Sequence, residues 1–270
     1  MARANECLAC RTGNTQARKM STGALIYATD GDIQYTRIAE ECARRVQHYL
    51  GIPSIVVSGS KRVTGKRSWA DCDAPVAWRN SGRYNAFNDS PYDRTLLLDA
   101  DYWIAGDCLK HLLNASGGFY AHKHRMYTNE PHAKIETFGL LNTPMWWATV
   151  CVFDRSEFTQ DVFSAWQMIE QNYHHYANLF QFSPTPFRND YALSMALLLV
   201  NGGEYPNCAI PWPLINVPDS CDIKLENHRW TLEYTVFENN EHRHKRITVQ
   251  DQDLHIMSKR NLEKLLELHG

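Results

Sequence analysis

"TLLLDADYW", residues 95–103, is the stretch that decides the fold. Its three consecutive leucines predict a β-strand buried on both faces, which is typical of a mostly parallel sheet. The strand ends in Asp99 and Asp101, and because side chains two residues apart share one face of a strand, their carboxylates are expected to project together. A divalent cation would remove the repulsion between them. The stretch therefore predicts a cation site at the end of a central strand or, since Asp-x-Asp is short and common, a strand that ends in two solvated acids.

The segments before this strand alternate between strand and helix patterns. Residues 24–30 are an apolar run that predicts a strand, and residues 54–59 predict a second one. Between them, residues 35–51 repeat apolar side chains at helical spacing and predict an amphipathic helix that Gly51 and Pro53 end. A strand, a helix and a strand in this order favour a parallel sheet covered by helices.

The rest of the chain continues this pattern without an internal repeat or a clear linker. Residues 60–94 are polar and predict loops with one short helix, and residues 210–218 predict an extended segment broken by prolines. Further strands are predicted at 117–122 and 149–153, and helices at 156–180, 188–203 and 259–270. We therefore expect one α/β domain over residues 22–270, with a mixed, mostly parallel sheet flanked by helices, after a flexible arm at residues 1–21.

The composition is that of an ordinary globular protein. The 270 residues are 44% hydrophobic and 21% charged, with a net charge of −2. These values exclude a strongly basic protein, so any contact with nucleic acid must use local patches. No apolar stretch is long enough to span a bilayer, and residues 1–23 lack the hydrophobic region of a secretory signal.

Cysteine usage points to a reducing compartment. Cys42 lies in a helical pattern and Cys151 in an apolar strand pattern, so both are expected to be buried thiols, and we expect a cytoplasmic protein. Cys7 and Cys10 have the spacing of half a zinc site, but no second pair follows at matching spacing, so unligated thiols are the favoured interpretation.

Beyond these patterns, the strand with its two aspartates resembles the metal-binding strand of the retaining GT-A glycosyltransferases of the glycogenin and lipopolysaccharide galactosyltransferase type. The similarity covers roughly residues 22–262, and its pieces occur in the family's order. They are "ALIYATD" (24–30), "RNSGRYNAF" (79–87), "YDRTLLLDADYWIAGD" (92–107), "WWATVCVFD" (146–154), "RNDYALSMAL" (188–197) and "DLHIMSKRNL" (253–262). The resemblance implies a GT-A-like fold and transfer of a sugar from a UDP-linked donor to an acceptor hydroxyl, with retention at the anomeric carbon.

The resemblance also implies a metal site. Asp99 and Asp101 would bind Mn²⁺ or Mg²⁺ together with His255, whose imidazole favours manganese. The family has glycine and lysine where this chain has Ser258 and Asn261, and Lys259, four positions after His255, is the candidate for holding the phosphates.

Other residues are candidates for holding the nucleotide sugar. Thr29 and Asp30 end the first predicted strand and would bind uracil or ribose, although both residue types are also good helix N-caps. Tyr35, at the start of the next helix, belongs to the same predicted set. Arg79 and Arg83 would clamp phosphate or sugar hydroxyls, although arginine in a polar loop is often only solvated.

Asp190, with Asn189 beside it, is the candidate for the residue beneath the anomeric carbon, where a carboxylate stabilises an oxocarbenium-like transition state. Its alternative role is an N-cap for the helix that follows. Trp103, Trp146 and Trp147 lie in apolar runs, where packing in the core is commoner than stacking on a sugar or a base.

The acceptor is the least determined part of the prediction. Two basic runs, residues 61–67 and 241–246, are by default solvated surface, but together they could flank an acidic acceptor such as DNA carrying hydroxymethylated pyrimidines.

Two other functions stay open. A sugar nucleotidyltransferase would use the same acids, but the glycine-rich loop that it needs after the first strand is missing from "ATDGDIQYTR" (28–37). A non-catalytic nucleotide-binding or nucleic-acid-binding module would use the basic runs without a metal.

Overall fold

The computed structural model describes residues 20–28, 34–58, 64–66, 75–77, 81–130, 132–226, 229–238, 241–249 and 251–269. The expected arm at residues 1–21 lies outside this part of the chain except for Met20 and Ser21.

The strands and helices of the described residues follow one another as the βα alternation predicts. In chain order the strands are β1 (Thr22–Ala28), β2 (Ser54–Ser58), β3 (Thr64–Lys66), β4 (Pro75–Ala77), β5 (Arg94–Asp99), β6 (Tyr102–Trp103), β7 (Phe119–His122), β8 (Arg125–Tyr127), β9 (Thr137–Phe138), β10 (Thr143–Pro144), β11 (Trp147–Asp154), β12 (Leu214–Val217), β13 (Cys221–Glu226), β14 (Arg229–Glu238), β15 (Glu241–Val249) and β16 (Leu254–Ile256). The helices are α1 (Tyr35–Arg45), α2 (Ala86–Asp89), α3 (Leu109–Asn114), α4 (Glu157–Gln171), α5 (Tyr173–Phe180), α6 (Asn189–Val200) and α7 (Lys259–His269), with a π-helical turn at Val46–Leu50 and a 3₁₀ turn at Arg83–Asn85.

The central sheet has the strand order β2-β1-β5-β11-β7. Strands β2, β1 and β5 are parallel, and β11 runs antiparallel to both β5 and β7. Four strands therefore point one way and β11 the other. This confirms the predicted α/β fold with a mixed, mostly parallel sheet.

The leucine strand lies in the middle of this sheet, as its apolar run predicts. Leu96, Leu97 and Leu98 are completely buried between β1 and β11. Because β1, β5 and β7 point the same way, the end of β5 at Asp99 and the end of β7 at His122 lie at the same edge of the sheet. This is the edge at which open α/β sheets bind ligands.

Helices cover the sheet, with one difference from the prediction. α1 contacts β1 and β2, while α6 contacts β11 and packs on α4. The single helix predicted at 156–180 is wrong, because the chain bends at Asn172 and forms α4 and α5 instead. The backbone of Asn172 is no longer helical, with φ −120°. Its side chain donates a hydrogen bond to the carbonyl oxygen of Met168, and such local bonds allow asparagine to compete with helix formation.

A second sheet, with the order β6-β16-β12-β8, lies beyond the carboxyl end of β5. Strands β16 and β8 both run parallel to β12, and β6 pairs antiparallel with β16. The predicted proline-broken segment supplies β12, and the chain after Asp101 supplies β6. This sheet therefore joins the end of the leucine strand to the C-terminal part of the protein.

Three antiparallel strands, β13-β14-β15, were not predicted from the sequence. An alternation is present in β14, where Trp230, Leu232 and Tyr234 share one face and are buried. Trp230 packs edge-on against Trp103 with ring centroids 5.6 Å apart, which attaches this sheet to the second one.

Two further expectations are met among the described residues. Cys42 and Cys151 are buried free thiols, as predicted. In the polar segment 60–94 the predicted short helix is α2, while β3 and β4 form a small antiparallel pair. Every described helix is too short or too polar to cross a lipid bilayer.

Candidate metal centre and active site

Asp99, Asp101 and His255 come together at the carboxyl end of β5. One ligand-capable atom from each lies within 4.8 Å of the other two. The backbone brings them together, because the Ile256 N–H donates to the Asp101 carbonyl oxygen over 3.0 Å and His255 pairs with Tyr102 across β16 and β6. The family resemblance implied this trio, although 154 residues separate Asp101 from His255. Two carboxylates and an imidazole form a donor set that fits Mn²⁺ or Mg²⁺.

The orientation of the His255 ring is fixed by a residue that the sequence analysis did not identify. The Nδ1 atom of His255 donates to the Oδ1 atom of Asn216 over 2.8 Å, and both side chains are buried. The Nε2 atom, which lies 3.6 Å from Oδ1 of Asp101, then carries the lone pair that a metal needs. The feature of the sequence that could have identified Asn216 is its position as the single polar residue in the apolar strand "LINV" (214–217).

Asp253 fixes the position of β16 against β6 and the loop that follows it. Its Oδ1 atom accepts hydrogen bonds from the backbone N–H groups of Ala105 and Gly106, at 2.8 and 3.1 Å, and its other oxygen accepts from Tyr102 and Cys108. Because Asp253 precedes His255 by two residues, these bonds hold the imidazole next to the aspartates.

The charge of Asp101 is costly without a cation. The pKa of Asp101 is raised to about 6, because burial and, to a smaller extent, the charge of Asp99 outweigh the opposing effect of His255. A carboxylate with these neighbours is stabilised in its charged form by a positive ion. The repulsion between the two acids, which the sequence predicted, is one of the causes of the raised pKa.

Arg83 makes the contact with Asp99. One guanidinium nitrogen of the buried Arg83 side chain forms an ion pair with Oδ1 of Asp99. Burial lowers the pKa of Arg83, but Asp99 and Asp190 outweigh this and the pKa is raised overall. The Nε and Nη2 atoms of Arg83 have no hydrogen-bond partner among the described residues. Of the two alternatives for Arg83, the solvated arginine is therefore wrong.

A buried carboxyl group positions the turn that carries Arg83. Glu170, on α4, accepts a hydrogen bond from the backbone N–H of Gly82 over 2.8 Å. Gly82 has φ +85°, a conformation that favours glycine. Burial raises the pKa of Glu170 to about 7, and the Gly82 hydrogen bond opposes the shift. The sequence analysis missed this residue.

Asp190 lies in the first turn of α6, and its side chain does not cap the helix. Its Oδ1 atom instead accepts from the backbone N–H of Ala148 over 2.9 Å, and its Oδ2 atom lies 3.1 Å from Arg188. Ala148 lies two residues before Val150 in β11, and Val150 pairs with Leu98 of β5. Asp190 is therefore held near the end of the leucine strand. Asn189 is half-buried beside it.

The remaining predicted site residues are distributed as follows. Tyr35 begins α1 and is half-buried, and Lys259 begins α7 and is exposed. Thr29, Asp30 and Arg79 lie outside the described residues.

Four further positions prove structural. Asn261, where the family has lysine, is fully buried and donates to the Cys221 carbonyl oxygen over 2.6 Å, so it anchors α7 to β13. Trp103, Trp146 and Trp147 are buried, which confirms the core interpretation for them.

No protein-family model matches this chain, and a search of curated proteins finds no match. Solved structures with similar folds include the glycosyltransferase GlyE of Streptococcus pneumoniae, at 12% identity and a TM-score of 0.39 over 70% of this chain and 46% of that one. This chain therefore spans less than half the length of GlyE. The inositol-1-phosphate CTP transferase of T. maritima matches at 13% identity and a TM-score of 0.32, over 68% of this chain and 82% of that one.

A Drosophila β1,4-galactosyltransferase 7 mutant, solved with manganese, UDP-Gal and xylobiose, matches at 11% identity and a TM-score of 0.31 over 86% of this chain and 95% of that one. Two of these three neighbours are glycosyltransferases. With TM-scores below 0.5, the similarities do not assign a function to this chain.

Proposed function

We propose that this protein is a metal-dependent glycosyltransferase that moves a sugar from a UDP-sugar to an acceptor hydroxyl, with retention at the anomeric carbon. The observation that carries the proposal is the meeting of Asp99, Asp101 and His255 at the carboxyl end of the central strand. A divalent cation held there, Mn²⁺ or Mg²⁺, would neutralise charge on the donor diphosphate. The raised pKa of Asp101 and the fixed tautomer of His255 both support such an ion.

Arg83 would hold the donor beside Asp99. Its guanidinium group is buried against Asp99, and two of its nitrogens have no partner among the described residues. A buried, unpaired guanidinium nitrogen is costly, and a phosphate or sugar oxygen is the partner that it lacks. We further propose that Lys259, Tyr35, Thr29, Asp30 and Arg79 contribute to binding the nucleotide sugar.

Asp190 would stabilise positive charge at the anomeric carbon. Its carboxylate is held by Ala148 and Arg188 and interacts electrostatically with the positive charge of Arg83. A carboxylate fixed in this way supports an oxocarbenium-like transition state without moving. In a retaining transfer the bond from the anomeric carbon to UDP breaks, and the acceptor oxygen bonds to the same face of the sugar as its proton leaves.

The proposal is tested by measuring the release of UDP from UDP-sugars in the presence of Mn²⁺. We expect turnover to stop in EDTA and in Asp101→Ala, and to persist in Asp107→Ala, which removes an aspartate side chain that is 72% exposed. Turnover that survives both EDTA and Asp101→Ala would count against the proposal.

Two measurements separate this function from its alternatives. A sugar nucleotidyltransferase would release pyrophosphate from UTP and a sugar 1-phosphate, and we expect none. A non-catalytic binding module would bind UDP equally well with and without Mn²⁺ in calorimetry, whereas we expect binding that depends on the metal.

Hydroxymethylated pyrimidines in DNA are one acceptor to be tested. The basic run at 241–246 forms part of β15, whose side chains are mostly exposed. Two of its basic side chains form ion pairs: Arg243 lies 3.7 Å from Glu241, and Arg246 lies 3.7 Å from Glu233. The other basic run, residues 61–67, falls where side chains are not described. A gel shift at low salt tests this acceptor, and a protein that leaves the DNA unshifted would exclude it.

A further inference from the structure

A cavity of about 360 Å³ opens at the edge of the second sheet. The strands β8, β12 and β16 are parallel, so their carboxyl ends reach the same edge. The cavity is lined by residues at and just after these ends: Tyr127, Asn129, Glu130, Pro218, Asp219 and Met257. Its volume lies at the small end of the range of small-molecule sites.

The cavity adjoins the candidate metal centre. Met257 follows His255 by two residues, and Pro218 follows Asn216 by two. In the register of the sheet Asn216 pairs with both His255 and Tyr127, which places the three in one row on the same face. The Nδ2 atom of the buried Asn216 has no hydrogen-bond partner among the described residues. An uncompensated donor therefore lies between the imidazole and the cavity.

Charged groups of both signs near Tyr127 act on its hydroxyl group. The pKa of Tyr127 is raised by burial and by Glu136, and the charges of Arg125 and Arg188 oppose the shift. Arg188 is the ion-pair partner of Asp190. A ligand in the cavity would thus lie at the end of the row that Tyr127, Asn216 and the candidate metal ligand His255 form across the sheet.

The lining selects for hydroxyl groups and against phosphates. Its polar groups are the carboxylates of Glu130 and Asp219, the Asn129 amide and the Tyr127 hydroxyl. The Met257 side chain, 41% exposed, adds an apolar surface for the carbon face of a ring. The described lining has no lysine, arginine or histidine. Glu130 forms ion pairs with Arg125 and Lys134, so it is the carboxylate of Asp219 that would repel a polyanion such as DNA.

We propose that this cavity is the acceptor site and that its ligand is a neutral saccharide. The carboxylates would accept hydrogen bonds from sugar hydroxyls, while Met257 and Tyr127 pack against the ring. This inference rests on the proposed function, because it assigns the acceptor of the same reaction.

The test is saturation-transfer NMR with the methyl glycosides of glucose, galactose, mannose and N-acetylglucosamine, in the presence of UDP and Mg²⁺. We expect at least one glycoside to bind saturably. Asp219→Ala, at an exposed position, should weaken that binding about tenfold, the effect of losing a hydrogen bond to a charged group. Asp107→Ala is the matched control and should bind as the unchanged protein does.

Three results would overturn the inference: no glycoside binds, Asp219→Ala binds as well as the control, or a duplex with hydroxymethylated cytosine displaces the glycoside. UDP binding is measured in the same samples with and without Mg²⁺. If UDP binding depends on the metal but no glycoside binds, the acceptor site alone is refuted. If UDP binds equally well with and without the metal, the proposed function is refuted.

Discussion

His255 donates from Nδ1 to the amide oxygen of Asn216 over 2.8 Å, and this bond leaves its other ring nitrogen facing Asp101. The amide oxygen can only accept, so the bond selects one tautomer of the imidazole. A ligand histidine whose tautomer is already correct binds a metal without the cost of rearranging, so Asn216 acts on the metal through His255.

Asn216→Ala should therefore weaken Mn²⁺ binding by about 10- to 100-fold, although every metal ligand is kept. Mn²⁺ binding is measured by EPR titration. Asn216→Asp retains an oxygen acceptor and should bind at least as tightly as the unchanged protein. Asn114→Ala, an exposed asparagine at the end of α3, is the control. Equal affinities in Asn216→Ala and the control would show that the Asn216 contact is not needed.

Metal binding should depend on pH through Asp101. Burial and Asp99 raise the pKa of this carboxyl to about 6, so below that pH the metal must displace a proton. We expect Mn²⁺ affinity to be constant above about pH 7 and to fall by about tenfold per pH unit below about pH 6. Asp101→Asn should bind weakly at every pH. An affinity in the unchanged protein that is the same at about pH 5 and about pH 8 would contradict this assignment.

Arg83→Gln should change metal and nucleotide binding in opposite directions. Without nucleotide the positive charge of Arg83 competes with a cation for Asp99, so its removal should raise Mn²⁺ affinity severalfold. With metal present, UDP should bind about tenfold more weakly, because a charged donor to the diphosphate is lost. Calorimetry measures both affinities. Arg44→Gln is the control, since the Arg44 side chain is 64% exposed. A parallel loss of both affinities would instead indicate damage to the fold.

Glu170 should make the protein less stable as the pH rises. Burial raises its pKa from 4.5 to about 7, so between these values the folded protein binds the proton more tightly than the unfolded chain does. The free energy of unfolding should therefore fall by up to about 3 kcal/mol as the pH rises through this window.

Glu170→Gln should be more stable than the unchanged protein by about 1 to 3 kcal/mol at pH ~8, and close to it at pH ~4.5. The glutamine stays neutral and keeps an oxygen for the Gly82 N–H. Urea denaturation at both pH values measures the difference, with Glu263→Gln, exposed on α7, as control. A destabilised variant at pH ~8 would mean that the charge of Glu170 is favourable where it lies.

The sequence by itself determined the parts of this protein that depend on local patterns. The leucine run of β5, the helical repeat of α1 and the glycine and proline that end it are periodicities and turn residues, which act on neighbours in the chain. The same holds for Asp99 and Asp101, since the period of a strand puts i and i+2 on one face.

The family resemblance supplied His255, but only the tertiary structure decided which other distant residues support the site. Glu170 supports a glycine 88 residues away, and Asp253 holds a backbone 148 residues away. These contacts form because separate strands and helices are packed together, and no spacing along the chain encodes them. The hairpin strands β14 and β15 went unpredicted for a related reason. Much of β15 is exposed and charged, so it lacks the apolar alternation that marks a half-buried strand, and it is a strand because its backbone pairs with β14.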